Sequence, residues 1–126
     1  MQKHFTKEAC PVAGPYSQAI SIPSGPLLFV SGQIPADASG TLVTGSIGEL
    51  TAACCKNIEA ILKEAGSALD KVVKTNVFLA DMSSFAEMNE TYAKYFPHAP
   101  ARSCVAVKQL PKGVQVEIEC IALGAK

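Results

Sequence analysis

The chain has 126 residues, of which 48% are hydrophobic and 17% charged, so it has the size of one ordinary domain and a composition that excludes disorder. Lys plus Arg and Asp plus Glu both total 11, so it lacks the basic excess that phosphate contacts to nucleic acid or a polybasic membrane anchor require. Apolar runs such as Leu27 to Val30 fall far short of the roughly 20 residues that cross a bilayer.

No linker, repeat or low-complexity segment interrupts the chain, and residues 1–126 read as one domain. Residues 2–6 can form a first short strand. Tyr16 to Ile22 reads as a strand, closed by the turn signal Pro23-Ser24-Gly25-Pro26. Leu27 to Gln33 is expected to return beside it as a hairpin. Residues 35–45, rich in Pro, Gly, Ser and Thr, form a loop. Ser46 and Glu49 make a capping box. The apolar stripe Ile47, Leu50, Cys54, Ile58, Ile61 and Ala65 then predicts a helix ending at Gly66.

Lys71 to Ala80 alternates as a strand, with Val73, Thr75, Val77 and Leu79 on one face and Lys74, Asn76 and Phe78 on the other. A second capping box is expected at Ser84 and Glu87. It opens a helix with Phe85, Met88, Tyr92 and Phe96 on its apolar face, stopped by Pro97. Arg102 to Gln109 and Val114 to Leu123 read as two closing strands around the turn Pro111-Lys112-Gly113.

This order predicts an α+β fold with both helices on one face of a mixed sheet. If the aliphatic positions face the helices, the opposite face carries Lys74, Asn76, Phe78, Arg102, Cys104, Glu117, Glu119 and Ile121. Such a mixed face is either a solvated surface or a subunit interface.

The cysteines, Cys10, Cys54, Cys55, Cys104 and Cys120, are odd in number and contain no Cys-x-x-Cys. Neither a disulfide framework nor structural zinc is expected. His4 and His98 are the only histidines, too little for a catalytic zinc or a Ser-His-Asp triad. No phosphate loop or dinucleotide fingerprint occurs, and no cofactor is expected. The first residues resemble neither a signal peptide nor a mitochondrial presequence, so the expected compartment is the cytoplasm, with the mitochondrion as the alternative.

Six segments then occur in a telling order: Gly14-Pro15-Tyr16-Ser17-Gln18-Ala19, Ser31-Gly32-Gln33-Ile34-Pro35, Val73 to Phe78, Asn89-Glu90-x-Tyr92, Pro100 to Val105, and Glu117-Ile118-Glu119. From Gly14 to Leu123 the chain resembles the RidA/YjgF family of enamine/imine deaminases. The resemblance implies a chorismate-mutase-like fold with a six-stranded mixed sheet. It also implies a homotrimer whose sheets form a central barrel, with sites at the subunit interfaces. The implied reaction is hydrolysis of 2-imino acids, such as 2-iminobutanoate and 2-iminopropanoate, to 2-ketoacids and ammonia, which protects pyridoxal-phosphate enzymes from damage. Only Pro97-His98-Ala99 separates Phe96 from the Pro100 motif, a shorter connection than in many bacterial members.

The family motif implies roles for particular residues. Arg102 clamps the substrate carboxylate, since a guanidinium fork matches its two oxygens. Taken by itself, Arg102 could instead serve an inter-subunit ion pair. Glu119 positions and activates water and passes protons to nitrogen. By strand pattern alone Glu117 and Glu119 are equivalent, and the motif selects Glu119. Tyr16 is expected to line the pocket from an adjacent subunit, with its hydroxyl near substrate or water. Ser31 and Gly32 lie at a strand end where a ligand can approach backbone N–H groups, or where the chain simply bends. Asn89 is either a polar edge of the pocket or a loop cap. Cys104 is expected to be a wall residue offering its backbone N–H, rather than a nucleophile. Two other function classes compete with the enzyme: an RNA-directed ribonuclease or translation inhibitor, which the charge balance disfavours, and a non-catalytic, chaperone-like trimeric binding protein.

Overall fold

The computed structural model describes residues 1–125. Six strands and two helices follow in the order β1 (Gln2–His4), β2 (Ala19–Ser21), β3 (Leu27–Gln33), α1 (Ile47–Glu64), β4 (Val72–Leu79), α2 (Phe85–Tyr95), β5 (Ala101–Ala106) and β6 (Val116–Leu123). The α+β class and the two helices agree with the sequence reading. The six strands do not form one sheet, however. A four-stranded mixed sheet runs β3-β6-β4-β5, parallel only between β4 and β5, and β1 pairs with β2 alone.

The expected hairpin between the second and third strands is therefore absent. β3 pairs antiparallel with β6, Phe29 opposite Ile121 and Val30 opposite Cys120. The segment before β2 is drawn to the other edge of the sheet. There Ser17 bridges Ala101, and its hydroxyl donates to the Ala99 carbonyl at 2.6 Å.

Helix α1 starts where its capping box places it. The Glu49 N–H donates to Ser46 Oγ at 3.1 Å, and the Ser46 N–H donates to Glu49 Oε1 at 3.2 Å. It ends in a Schellman motif: Gly66 takes φ +81°, and the Ser67 and Gly66 N–H groups donate to Leu62 and Lys63 carbonyls. Its buried face is Leu50, Thr51, Cys54, Cys55, Ile58 and Leu62. Ile61, expected in the core, is 39% exposed, because that face is centred nearer Cys55 and Leu62.

Helix α2 lacks the expected capping box. Ser84 has helical φ/ψ and makes no side-chain cap. A 3-10 turn, Met82–Ser84, comes first, and it is Asp81 that accepts the Ser83 N–H at 2.8 Å. Glu87 is used elsewhere, accepting the Gly48 N–H at 3.1 Å and so tying α2 to the first turn of α1. The apolar stripe of α2 is as expected: Met88, Tyr92 and Phe96 are fully buried, and Phe85 packs at the margin.

Strand β4 carries a bulge between Val72 and Lys74 that puts Val72, not Val73, on the helix side with Thr75, Val77 and Leu79. The opposite face carries Lys74, Asn76, Phe78, Glu117, Glu119 and Ile121, as expected. Arg102 and Cys104 do not belong to it. Because β5 runs parallel to β4 with Thr75 beside Arg102 and Val77 beside Cys104, both side chains share the helix side. Ser103 and Val105 take the outer face instead, leaving Val105 47% exposed.

Candidate functional site

Arg102 is 8% exposed, a charge buried at the edge of the core. Burying a guanidinium costs free energy unless something replaces its hydration. Three aromatic rings do part of this. The Arg102 Cζ lies 4.9 Å from the Tyr92 ring centroid, 5.2 Å from that of Tyr16 and 5.6 Å from that of Phe85. Cations are attracted to ring faces at such separations. Beneath the guanidinium the Tyr92 hydroxyl and Thr75 Oγ1 are hydrogen-bonded at 2.6 Å, fully buried. Burial pushes the Tyr92 phenol up to about 12, with the Arg102 charge opposing.

The hydrogen bonding of Arg102 is incomplete. Nη1 donates to Asn89 Oδ1 at 2.7 Å, its one hydrogen bond among the described residues. Nε is buried without a partner. Nε–H and Nη2, the two parallel donors on one edge of the guanidinium, thus make no hydrogen bond among the described residues. Gly14 closes over this edge so tightly that a Cβ there would lie 2.9 Å from Nη2. Tyr16, Phe85, Arg102, Ser103, Cys104 and Val105 line a pocket of about 270 Å³, large enough for a small organic acid.

Tyr16 was expected to enter from a neighbouring subunit; here it covers the guanidinium of its own chain. Its hydroxyl accepts the Ala13 N–H at 3.0 Å and helps hold the loop that bears Gly14. Asn89 Oδ1 accepts from Nη1 and so fixes the guanidinium rather than capping a loop. Cys104 lines the pocket as a wall residue. Burial raises its thiol pKa despite the opposing charge of Arg102, so the thiolate that a nucleophile needs is disfavoured. The short connection before β5 is pinned at His98, whose Nε2 donates to the Val72 carbonyl at 2.9 Å. Ala99 in that connection adopts φ +52°.

Glu119, Ser31 and Gly32 form a second cluster, on the outer face of the sheet. Asn76 Nδ2 donates to Glu119 Oε2 at 2.9 Å. On the other side β3 bulges. Val30 pairs with Cys120 and Gln33 with Ile118, so Ser31 and Gly32 together oppose the single residue Glu119. The absence of a side chain at Gly32 leaves room for Glu117, since a Cβ would lie 2.8 Å from its Cδ. Glu117 therefore packs across the bulge, while Glu119 is the carboxylate held by an amide. This distinguishes two residues that strand pattern leaves equivalent.

The expected site residues thus fall into two groups, Arg102, Tyr16, Asn89 and Cys104 on the helix side, and Glu119, Ser31 and Gly32 on the outer side. Sequence reasoning missed Thr75, Asn76, Phe85 and Tyr92 as site components. A signal existed for Thr75, since a hydroxyl amid an aliphatic strand face needs a buried partner.

Comparison with known proteins supplies a family. The family model described as Endoribonuclease L-PSP matches residues 6–124. A RutC family protein of Pyrococcus abyssi is 50% identical over 120 residues, 94% of this chain and 93% of that protein. The mitochondrial protein MMF1 of Saccharomyces cerevisiae is 50% identical over 119 residues, 94% of this chain and 81% of that protein. The crystal structure of E. coli TdcF with bound serine superposes with a TM-score of 0.74 at 34% identity, covering 99% of this chain and 100% of the other. The chain belongs to the L-PSP family, that of the YjgF/RidA proteins.

Proposed function

We propose that this protein hydrolyses small 2-imino acids, such as 2-iminobutanoate and 2-iminopropanoate, to 2-ketoacids and ammonia, and so limits damage to pyridoxal-phosphate enzymes. The observation that carries this reading is the Arg102 guanidinium, buried with one neutral hydrogen-bond partner and no carboxylate, at the wall of a pocket of about 270 Å³. A buried guanidinium of this kind suits a carboxylate. The serine bound by TdcF, an α-carboxylate compound of similar size, supports the same ligand class here.

In this reading Arg102 holds the carboxylate and thereby fixes the adjacent C=N carbon. Glu119, oriented by Asn76, removes a proton from water as the oxygen attacks that carbon. Glu119 passes that proton to the imine nitrogen to give the carbinolamine; the hydroxyl then closes to the keto group, its proton passing through Glu119 to the amino group, which leaves as ammonia. One water is consumed, and the ketoacid and ammonia account for all atoms. The raised pKa of the Cys104 thiol supports water, not sulfur, as the nucleophile.

The opposite placement of Arg102 and Glu119 bears on assembly. A site that uses both takes them from different copies. We therefore read the functional form as a homotrimer, with outer sheet faces turned inward and sites between subunits. The outer face supports this with two exposed apolar patches, Phe29, 74% exposed, beside Ile121 and Val105, 47% exposed, beside Phe78. Apolar groups in such a patch favour contact with another surface. The RNA-directed reading suits the family's description but finds no basic excess in this chain.

No helix among the described residues is long and apolar enough to cross a membrane. The mitochondrial address of MMF1 makes a mitochondrial setting as compatible with the proposal as the cytoplasm.

The test couples a threonine dehydratase, which generates the imine, to ketoacid detection with and without this protein, beside light scattering. Faster ketoacid release by a three-chain species is expected. No acceleration would overturn the activity, and a species of only 13.2 kDa at micromolar concentration would overturn the assembly.

A further inference from the structure

A buried arginine ordinarily carries a carboxylate partner. Arg102 has none among the described residues, and its single hydrogen bond goes to the neutral amide of Asn89. What surrounds the cation instead is aromatic. Tyr92 lies under it from α2, Phe85 stands at the first position of the same helix, and Tyr16 covers it from the loop before β2. The Tyr92 ring cannot tilt freely, because its hydroxyl is bonded to Thr75, the β4 residue in register with Arg102 itself. Its other flank packs on Phe96 with ring centroids 4.7 Å apart.

We propose that Phe85 and Tyr92, with Tyr16, are positioning residues that hold the Arg102 guanidinium in place of a carboxylate counter-ion and so keep its charge free for an incoming anion. The proposal rests on the reading of Arg102 as a carboxylate clamp, and it adds Phe85 and Tyr92, to which no motif assigned a role. The physical reason for rings is selectivity among interactions. A carboxylate partner would occupy the fork that the ligand needs and would neutralise its charge. Ring faces hold the cation without occupying its in-plane N–H donors. Asn89 takes Nη1 alone and sets the rotation of the plane, which leaves the remaining guanidinium donors unpaired among the described residues.

Three variants separate positioning from simple packing: Tyr92→Leu, Tyr92→Phe and Phe85→Leu. Binding of 2-oxobutanoate, the ketoacid product, is measured by calorimetry, with thermal melting and kcat and KM on the same preparations. Tyr92→Phe keeps the ring and loses the Thr75 hydrogen bond, so it should melt lower yet bind within about twofold of wild type, because the cation–π contact survives. Tyr92→Leu and Phe85→Leu remove a ring and should weaken binding about fivefold or more, with the loss larger in KM than in kcat. Phe85 is only half-buried, so its leucine variant remains informative if Tyr92→Leu fails to fold. Folded leucine variants that bind and turn over as Tyr92→Phe does would overturn the proposal.

A second readout does not depend on the ligand. The Arg102 Nε–H resonance should be displaced by ring currents in wild type and Tyr92→Phe, and should move in Tyr92→Leu and Phe85→Leu. An unmoved resonance in both leucine variants would overturn the aromatic cage. A moved resonance with no 2-oxobutanoate binding by wild type would leave the cage standing and remove the carboxylate clamp.

Discussion

Arg102 and Glu119 lie on opposite faces of the sheet, two strands apart, because adjacent residues of β4 face opposite ways: Thr75 stands beside Arg102 and Asn76 beside Glu119. One chain therefore cannot turn both side chains toward the same small molecule.

This geometry predicts complementation between two inactive variants. Arg102→Ala keeps an intact Glu119, and Glu119→Gln keeps an intact Arg102. In a trimer assembled from both, a site formed across an interface draws Arg102 from one variant and Glu119 from the other. Random mixing in a closed ring gives about one intact site in four. Co-expression should thus recover about a quarter of the wild-type rate, while each variant alone stays inactive. Mixed oligomers without recovered activity would show that the two residues do not share an intersubunit site.

Glu119→Gln should leave the fold and the oligomer unchanged and slow ketoacid release by about 10²–10⁴-fold, the usual contribution of a general acid–base group. Glutamine preserves the shape and can still pair with Asn76 but cannot take up a proton. A folded glutamine variant with wild-type turnover would move proton transfer to another group, with Glu117 across the bulge at Gly32 the nearest alternative.

The parts of this arrangement legible in the sequence were the local ones. The Ser46–Glu49 cap and the Gly66 stop are written within α1 and its flanks, and both are present. What failed depended on partners distant in sequence. β3 alternates as a strand whether it pairs with β2 or with β6, and its own residues cannot decide between them. The parity of β5 runs against its aliphatic pattern for a chemical reason. Pointing valines inward and arginine outward is sound where a charge has no buried partner, but here three rings and an amide receive Arg102 and release Val105 to the outer face. The Ser84–Glu87 pattern misled because Glu87 meets the backbone of α1 instead of its own helix start. The motif residues were found by resemblance, and their division between two faces needed the register.

Buried thiols and a buried phenol should weaken the fold at alkaline pH. Burial raises Cys54 and Cys120 from 9.0 to about 12 and Tyr92 from 10.0 to about 12, and it pushes Cys55 higher still. Each group is neutral in the folded chain and ionises sooner when unfolded. The folded state therefore holds more protons across this window, and stability falls as pH rises. Stability from these groups is fully present below about pH 9 and is lost progressively as pH climbs toward their folded values. Thermal melts from pH 7 to about pH 10.5 should show a falling Tm above about pH 9. A flat Tm across that range would mean that these side chains reach solvent in the native state.

The charge of Arg102 and its shape can be separated with Arg102→Lys. If the residue only supplied a positive charge across an interface, lysine would serve, since both are cations at neutral pH. The site asks for more. Nη1 is committed to Asn89 at 2.7 Å, so the plane of the guanidinium is fixed. An ammonium is a point charge with no fork, and it cannot both satisfy Asn89 and meet two carboxylate oxygens in one plane. The rings of Tyr16, Phe85 and Tyr92 would still attract the lysine, which favours a folded protein with a misaligned clamp. A displacement of about 1 Å can cost on the order of 100-fold in rate. The lysine variant should therefore keep the wild-type oligomeric state and lose at least about 100-fold in ketoacid release, measured on one preparation by light scattering and the coupled assay. If it turns over near the wild-type rate, the fork has no part in the chemistry and Arg102 is an ion-pair residue of the assembly.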